Sequence, residues 1–136
     1  MSKSAREKQT VLLADEPRYA KRLKEALAQY NLIEATSVEN AEQLMTDHKV
    51  DLVIVGAHFD DSRSVQLINA VRKDTRHKES PILAVRMAPS DNPKILLDTF
   101  STMIKLRLLS AYLEINDFAK EGQEVRSVVK NLLSTQ

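Results

Sequence analysis

The sequence contains no cysteine, which excludes a disulfide framework, a thiolate metal site and a cysteine nucleophile. Only two glycines, Gly56 and Gly122, occur in 136 residues. A phosphate-cradling loop needs two or three glycines close together, so that backbone can approach the anion; Walker-type and dinucleotide fingerprints are therefore absent. Aromatic residues make up 4% and there is no tryptophan, which leaves little material for base-stacking platforms. Basic and acidic residues number 20 and 19, for a net charge of +1. That balance gives no electrostatic argument for nucleic acid, which calls for a clustered basic surface. Apolar runs stop at four or five residues, far short of the roughly 20 that span a bilayer. The opening MSKSAREKQT lacks the apolar core of a secretory signal, and the cytoplasm is the expected location. What remains is ordinary for one globular domain: 43% hydrophobic and 29% charged residues.

Residues 1–9 are polar and read as a flexible N-terminal arm, and residues 10–136 as the domain. Thr10–Ala14 (TVLLA) reads as a buried strand. Asp15-Glu16-Pro17 starts a helix, because acidic residues and proline suit a first turn. Ala20, Leu23, Ala26, Leu27 and Tyr30 form its apolar stripe. Leu32–Thr36 is a second strand, and Ser37 caps a helix bearing Ala41, Leu44 and Met45. Asp51–Val55 (DLVIV) is the third strand. Ser62 or Ser64 opens a third helix with Val65, Ile68 and Val71. Pro81–Val85 is the fourth strand, and Asn92-Pro93 starts a fourth helix with a stripe of Ile95, Leu96, Thr99, Met103 and Leu106. Ala111–Ile115 is a fifth strand, before a last helix over about Ala119–Leu133. Continuously apolar strands must be covered on both faces, which requires a parallel sheet with helices on each side. The alternation fits an α/β, flavodoxin-like doubly wound fold of strand order 2-1-3-4-5. Its ligand crevice lies at the carboxyl ends of the strands, near Asp15, Glu16, Gly56, Ala57, His58, Arg86, Met87 and Glu114.

In VLLADEP (11–17), DLVIVG (51–56), PILAVRM (81–87) and AYLEIND (111–117), the sequence resembles the response-regulator receiver family of two-component signalling, over about Thr10 to Leu133. The resemblance implies an acidic pair before Glu-Pro, a phospho-accepting Asp ending strand 3, a Ser or Thr ending strand 4, a Lys in strand 5 and a bound Mg²⁺. Here Ala14 replaces the first acid, and Asp15 keeps the second beside Glu16. Gly56 stands at the acceptor position and Arg86 at the Ser/Thr position. Ile115 stands at the Lys position, or Glu114 if the register slips by one. Phosphoryl transfer needs a carboxylate nucleophile, and Mg²⁺ needs several oxygen ligands. One carboxylate, Asp15, is left as a weak remnant, so neither metal nor cofactor is expected. Arg86 is expected to fill the emptied site by pairing with Asp15, directly or through Glu16.

The resulting expectation is a degenerate receiver, not an enzyme, working as a phosphorylation-independent protein-interaction module in bacterial signalling. It touches neither nucleic acid nor membrane. Its partner face is the helix 4–strand 5–helix 5 surface, with Lys105, Arg107 and Tyr112, which receivers also use for dimerisation. Lys105, Leu106, Arg107, Leu108 and Leu109 close the fourth helix, and not all of these apolar groups can face one core stripe. Tyr112 falls near the rotating aromatic that the resemblance implies; with Arg86 in place of Ser/Thr, static packing or partner contact is expected. Two alternatives compete. One is a receiver phosphorylated at a displaced aspartate, Asp60 or Asp61, with Mg²⁺ at Asp15. The other is a flavodoxin-like enzyme or small-ligand binder using the same crevice. His58 is read as a half-exposed loop residue, and His48 and His77 as solvated. RKDTRHK (72–78) is read as a basic helix end.

Overall fold

The computed structural model describes residues 8–134, so residues 1–7 of the expected arm lie outside the described residues. Ten elements alternate in order: β1 Thr10–Ala14, α1 Pro17–Ala26, β2 Asn31–Ala35, α2 Val38–Asp47, β3 Leu52–Gly56, α3 Ser64–Lys73, β4 Ile82–Arg86, α4 Pro93–Lys105, β5 Ala111–Glu114 and α5 Phe118–Ser134. A tight turn, Phe59–Ser62, joins β3 to α3. The strands form one parallel sheet in the order β2-β1-β3-β4-β5, the flavodoxin-like fold expected from the sequence.

Side chains alternate across the sheet, and that alternation builds two cores. On one face Leu12, Ala14, Val53, Val55, Ile82 and Ala84 pack against α2, α3 and α4 through Met45, Ile68 and Phe100. On the other, Val11, Leu13, Leu52, Ile54, Leu83 and Val85 pack against α1 and α5 through Leu23, Leu27, Val125 and Val129. Every residue of β3 is buried, as its unbroken apolar run requires. Helix starts follow local chemistry. Ser37 accepts from the Asn40 N–H at 2.9 Å to cap α2, and proline opens both α1 and α4.

Three expectations need correction. The inward stripe of α4 is Leu96, Phe100 and Met103, spaced four and three residues apart; Ile95 and Leu106 are 61% and 64% exposed. The helix phase is set by Phe100, the largest apolar group on the segment. The helix also ends at Lys105, so Leu106–Leu109 lie beyond it: Leu109 is buried and Leu106 faces water. His77 is fully buried rather than solvated. Its Nε2 accepts the Val50 N–H at 3.0 Å, and its Nδ1 faces Asp74 Oδ2 at 3.4 Å. The ring thus serves the backbone at the amino end of β3, a role its polar neighbours in sequence conceal. Arg72 and Lys73 occupy the last turn of α3 as expected.

Candidate functional site

Strands β1 and β3 run side by side, with Ala14 opposite Val55. Asp15 follows the end of β1, and Gly56 is the last residue of β3. Asp15 is 5% exposed, and its Oδ1 accepts the Glu16 N–H at 2.8 Å. Its carboxyl lies where a side chain at position 56 would begin. A Cβ there would come within 2.6 Å of Asp15 Oδ2 and would overlap Oδ1 and Cγ outright. The glycine is required here by this close approach. Gly56 is therefore no empty socket: the neighbouring acid fills the space.

That placement perturbs the carboxyl. Burial pushes the Asp15 pKa up from the ordinary 3.8 to about 7; the Glu16 N–H bond opposes the shift, and the Glu16 charge adds to it. Among the described residues no cation lies within ion-pair distance of Asp15.

Arg86, expected to supply that charge, turns elsewhere. Its guanidinium is buried, with Nη1 donating to the Ala88 carbonyl at 3.1 Å and Nη2 to Asn116 Oδ1 at 3.0 Å. Its Nε lies 3.5 Å from Glu114 Oε2. Arg86 sits directly opposite Glu114 in the β4–β5 register, so the adjacent edge strand offers an acid closer than the one two strands away. Ile115 is buried in the α1/α5 core, and its N–H bonds the Arg86 carbonyl at 2.8 Å. It fills space and carries no charge into the site.

A cleft of about 490 Å³ opens beside Asp15, lined among others by Glu16, Thr36, His58, Asp60 and Asp61. Its far wall is the Phe59–Ser62 turn, where Asp60, Asp61 and Ser62 all take left-handed backbone (φ 49°, 57° and 65°). Such residues cost about 1–2 kcal/mol each, with Asp among the more tolerant. Two contacts hold the turn. Asp60 Oδ2 accepts the Val38 N–H at 2.8 Å at the start of α2, and Arg63 bridges Asp60 at 2.9 Å and Glu39 at 2.7 Å. Asp60 is thus occupied as a cap, and Asp61 is exposed. His58 is half-exposed, yet its Nε2 is buried with no hydrogen-bond partner. The capping of α2 by Asp60 joins residues 22 apart and left no sequence signal; the partnership of Arg86 with Asn116 left none either.

Mg²⁺ takes several oxygen ligands in near-octahedral geometry. The Asp15 carboxyl is turned into the Gly56 space, Asp60 is spent on Val38 and Arg63, and no group of three or more His, Cys, Asp or Glu among the described residues is placed to hold a metal ion. The residues present do not fit the ion.

On the opposite flank, Lys105 and Arg107 are exposed beyond the α4 core, Arg107 in left-handed backbone (φ 63°). Tyr112 is half-buried, with its ring 4.7 Å from Phe100 and its hydroxyl donating to Glu114 Oε2 at 3.1 Å. Among the described residues no helix is long and apolar enough to cross a membrane.

No protein-family model matches the chain, and no curated protein matches it in sequence. Solved structures do. A protein assigned as a response regulator from Chloroflexus aurantiacus superposes with a TM-score of 0.74 at 26% identity, over 94% of this chain and 99% of that one. The signal receiver domain of an HD domain-containing protein from Pseudomonas fluorescens gives 0.74 at 22% identity, over 94% and 88%. The phosphorylated cyanobacterial phytochrome response regulator RcpA gives 0.72 at 13% identity, over 96% of each. The fold is that of response-regulator receiver domains.

Proposed function

We propose that this chain is a receiver-type module of bacterial two-component signalling that has lost its phosphorylation site and acts by binding a protein partner, without enzymatic turnover, in the cytoplasm. Residues 10–136 form the working unit. The observation that carries the reading is the Asp15 carboxyl lying in the space of the missing side chain at Gly56. A phosphoryl acceptor must present an accessible carboxylate to an electrophilic phosphorus, with cations nearby to neutralise the charge. Here the acceptor position is bare backbone, the buried acid Asp15 is packed away, and Arg86 is hydrogen-bonded to Ala88 and Asn116. The α4–β5–α5 face, with Lys105, Arg107 and Tyr112, is the proposed docking surface for the partner or for a second copy; exposed Leu106 and Ile104 lie beside it.

Incubation with acetyl phosphate and Mg²⁺, followed by intact-mass measurement, tests this. The expected outcome is an unchanged mass. The gain of one phosphoryl group, abolished by Asp60→Asn or Asp61→Asn, would instead establish a displaced acceptor.

A further inference from the structure

We propose that Arg86, Glu114 and Tyr112 form a latch that couples the end of β4 to the edge strand β5 and holds the Tyr112 ring inward. The inference concerns the β5 edge and stands whether or not the cleft accepts a phosphoryl group. Tyr112 and Glu114 are two residues apart on one strand and so share a face. Across the ladder, Arg86 stands opposite Glu114, and the small Ala84 stands opposite Tyr112, leaving room for the ring. That ring lies 4.7 Å from fully buried Phe100 at 34°, a tilted aromatic contact of the favourable kind.

One carboxylate oxygen ties the ends together. Glu114 Oε2 accepts the Tyr112 hydroxyl at 3.1 Å and lies 3.5 Å from Arg86 Nε. Arg86 is itself fixed, because Ala88 and Asn116 hold its other two nitrogens. Its Nε has no hydrogen-bond partner, so Glu114 is the anion left to compensate that corner of a buried cation. Burial, then the Glu114 charge and hydrogen bond, push the Tyr112 hydroxyl up to about 12, with Arg86 acting the other way. The phenol therefore stays protonated and keeps donating at neutral pH. An immobile guanidinium at the strand end thus positions a carboxylate, and the carboxylate positions the aromatic ring.

Nitration of the full chain with tetranitromethane, read tyrosine by tyrosine in peptide masses, tests the latch, with half-buried Tyr30, which packs on the opposite core, as internal reference. Glu114→Ala is expected to raise the Tyr112:Tyr30 ratio about ten-fold, the size of one charge-assisted hydrogen bond. Glu114→Gln, which keeps an acceptor, should stay much closer to the parent. Arg86→Met should raise the ratio as well, although Arg86 lies on another strand. An unchanged ratio in Glu114→Ala overturns the latch; a rise there without one in Arg86→Met overturns the coupling to β4. Unfolding would expose all three tyrosines together, and Arg86→Lys, which keeps a cation but loses the fork, replaces Arg86→Met in that case. The ratio should rise in Arg86→Lys, and an unchanged value counts against the proposal.

Discussion

The two ends of the sheet treat their polar groups differently. At the amino ends of the strands, side chains tie down backbone. Asp51 accepts the Thr10 N–H at 2.8 Å, Ser80 donates to the Val50 carbonyl at 3.2 Å, and Ser110 accepts the Ile82 N–H at 3.0 Å. Arg72 donates to the carbonyls of Leu108 and Ser80 at 2.9 and 2.7 Å. At the carboxyl ends, among the described residues, Asp15 is buried without a cation, His58 Nε2 has no hydrogen-bond partner, and three consecutive residues are left-handed. One end is built for stability. The other carries a buried acid and left-handed backbone that its surroundings do not compensate, features that tend to cluster at functional sites. In open α/β sheets, the carboxyl ends are also where ligands bind.

Substitutions can break or sharpen this contrast. The largest effect is expected at the stabilised end. His77→Ala removes a fully buried ring and orphans the Val50 N–H, which should cost about 3–5 kcal/mol in urea unfolding. At the other end, Asp15→Asn should do the reverse and stabilise. A carboxyl whose folded pKa is raised from 3.8 to about 7 binds a proton on folding between those values, so the penalty from Asp15 is absent below about pH 4 and grows as pH rises to about 7. Asp15→Asn should recover up to about 4 kcal/mol at pH 8 and little at pH 4. A stability difference between Asp15→Asn and the parent that stays flat across that range would contradict the assignment.

Gly56→Ala comes next. The added methyl meets the Asp15 carboxyl, and overpacking of this kind costs about 1–3 kcal/mol. In the Asp15→Ala background the cost should shrink, and a double-mutant cycle that adds without coupling would show that the carboxyl does not occupy that space. The smallest effect belongs to Arg63→Ala. Arg63 is partly exposed and its ion pairs lie at the surface, so global stability should barely move. Amide exchange should nonetheless accelerate at Val38 and across 59–62, where Arg63 holds Asp60 in place.

The fold was legible because the information is local and periodic. Apolar runs at 10–14, 51–55 and 81–85 sit between helix starts such as Ser37 and Asn92-Pro93, and strands that apolar must be covered on both faces. The phase of α4 was misread because Ile95, Leu96 and Leu97 are consecutive, and periodicity alone does not say which faces inward. Within the site, the bare position at 56 was readable as a residue type. Its consequence was not, because whether a neighbour's carboxyl enters that space depends on rotamer and strand separation. Arg86 was misassigned for the same reason: its charge was plain, but Asn116 and Glu114 become its neighbours only once β5 pairs with β4.

The central claim is that the Asp15 carboxyl occupies the place of a side chain at position 56, out of water and with no cation of the described residues beside it. Carboxyl-carbon NMR of the aspartates across a pH titration, with Asp15 assigned through the Asp15→Asn variant, tests it most directly. The expected result is a midpoint near 7 for Asp15, with the Gly56 amide shifting over the same range. A midpoint near the ordinary 3.8, with Gly56 silent, would mean that the carboxylate stands in water and the site is open.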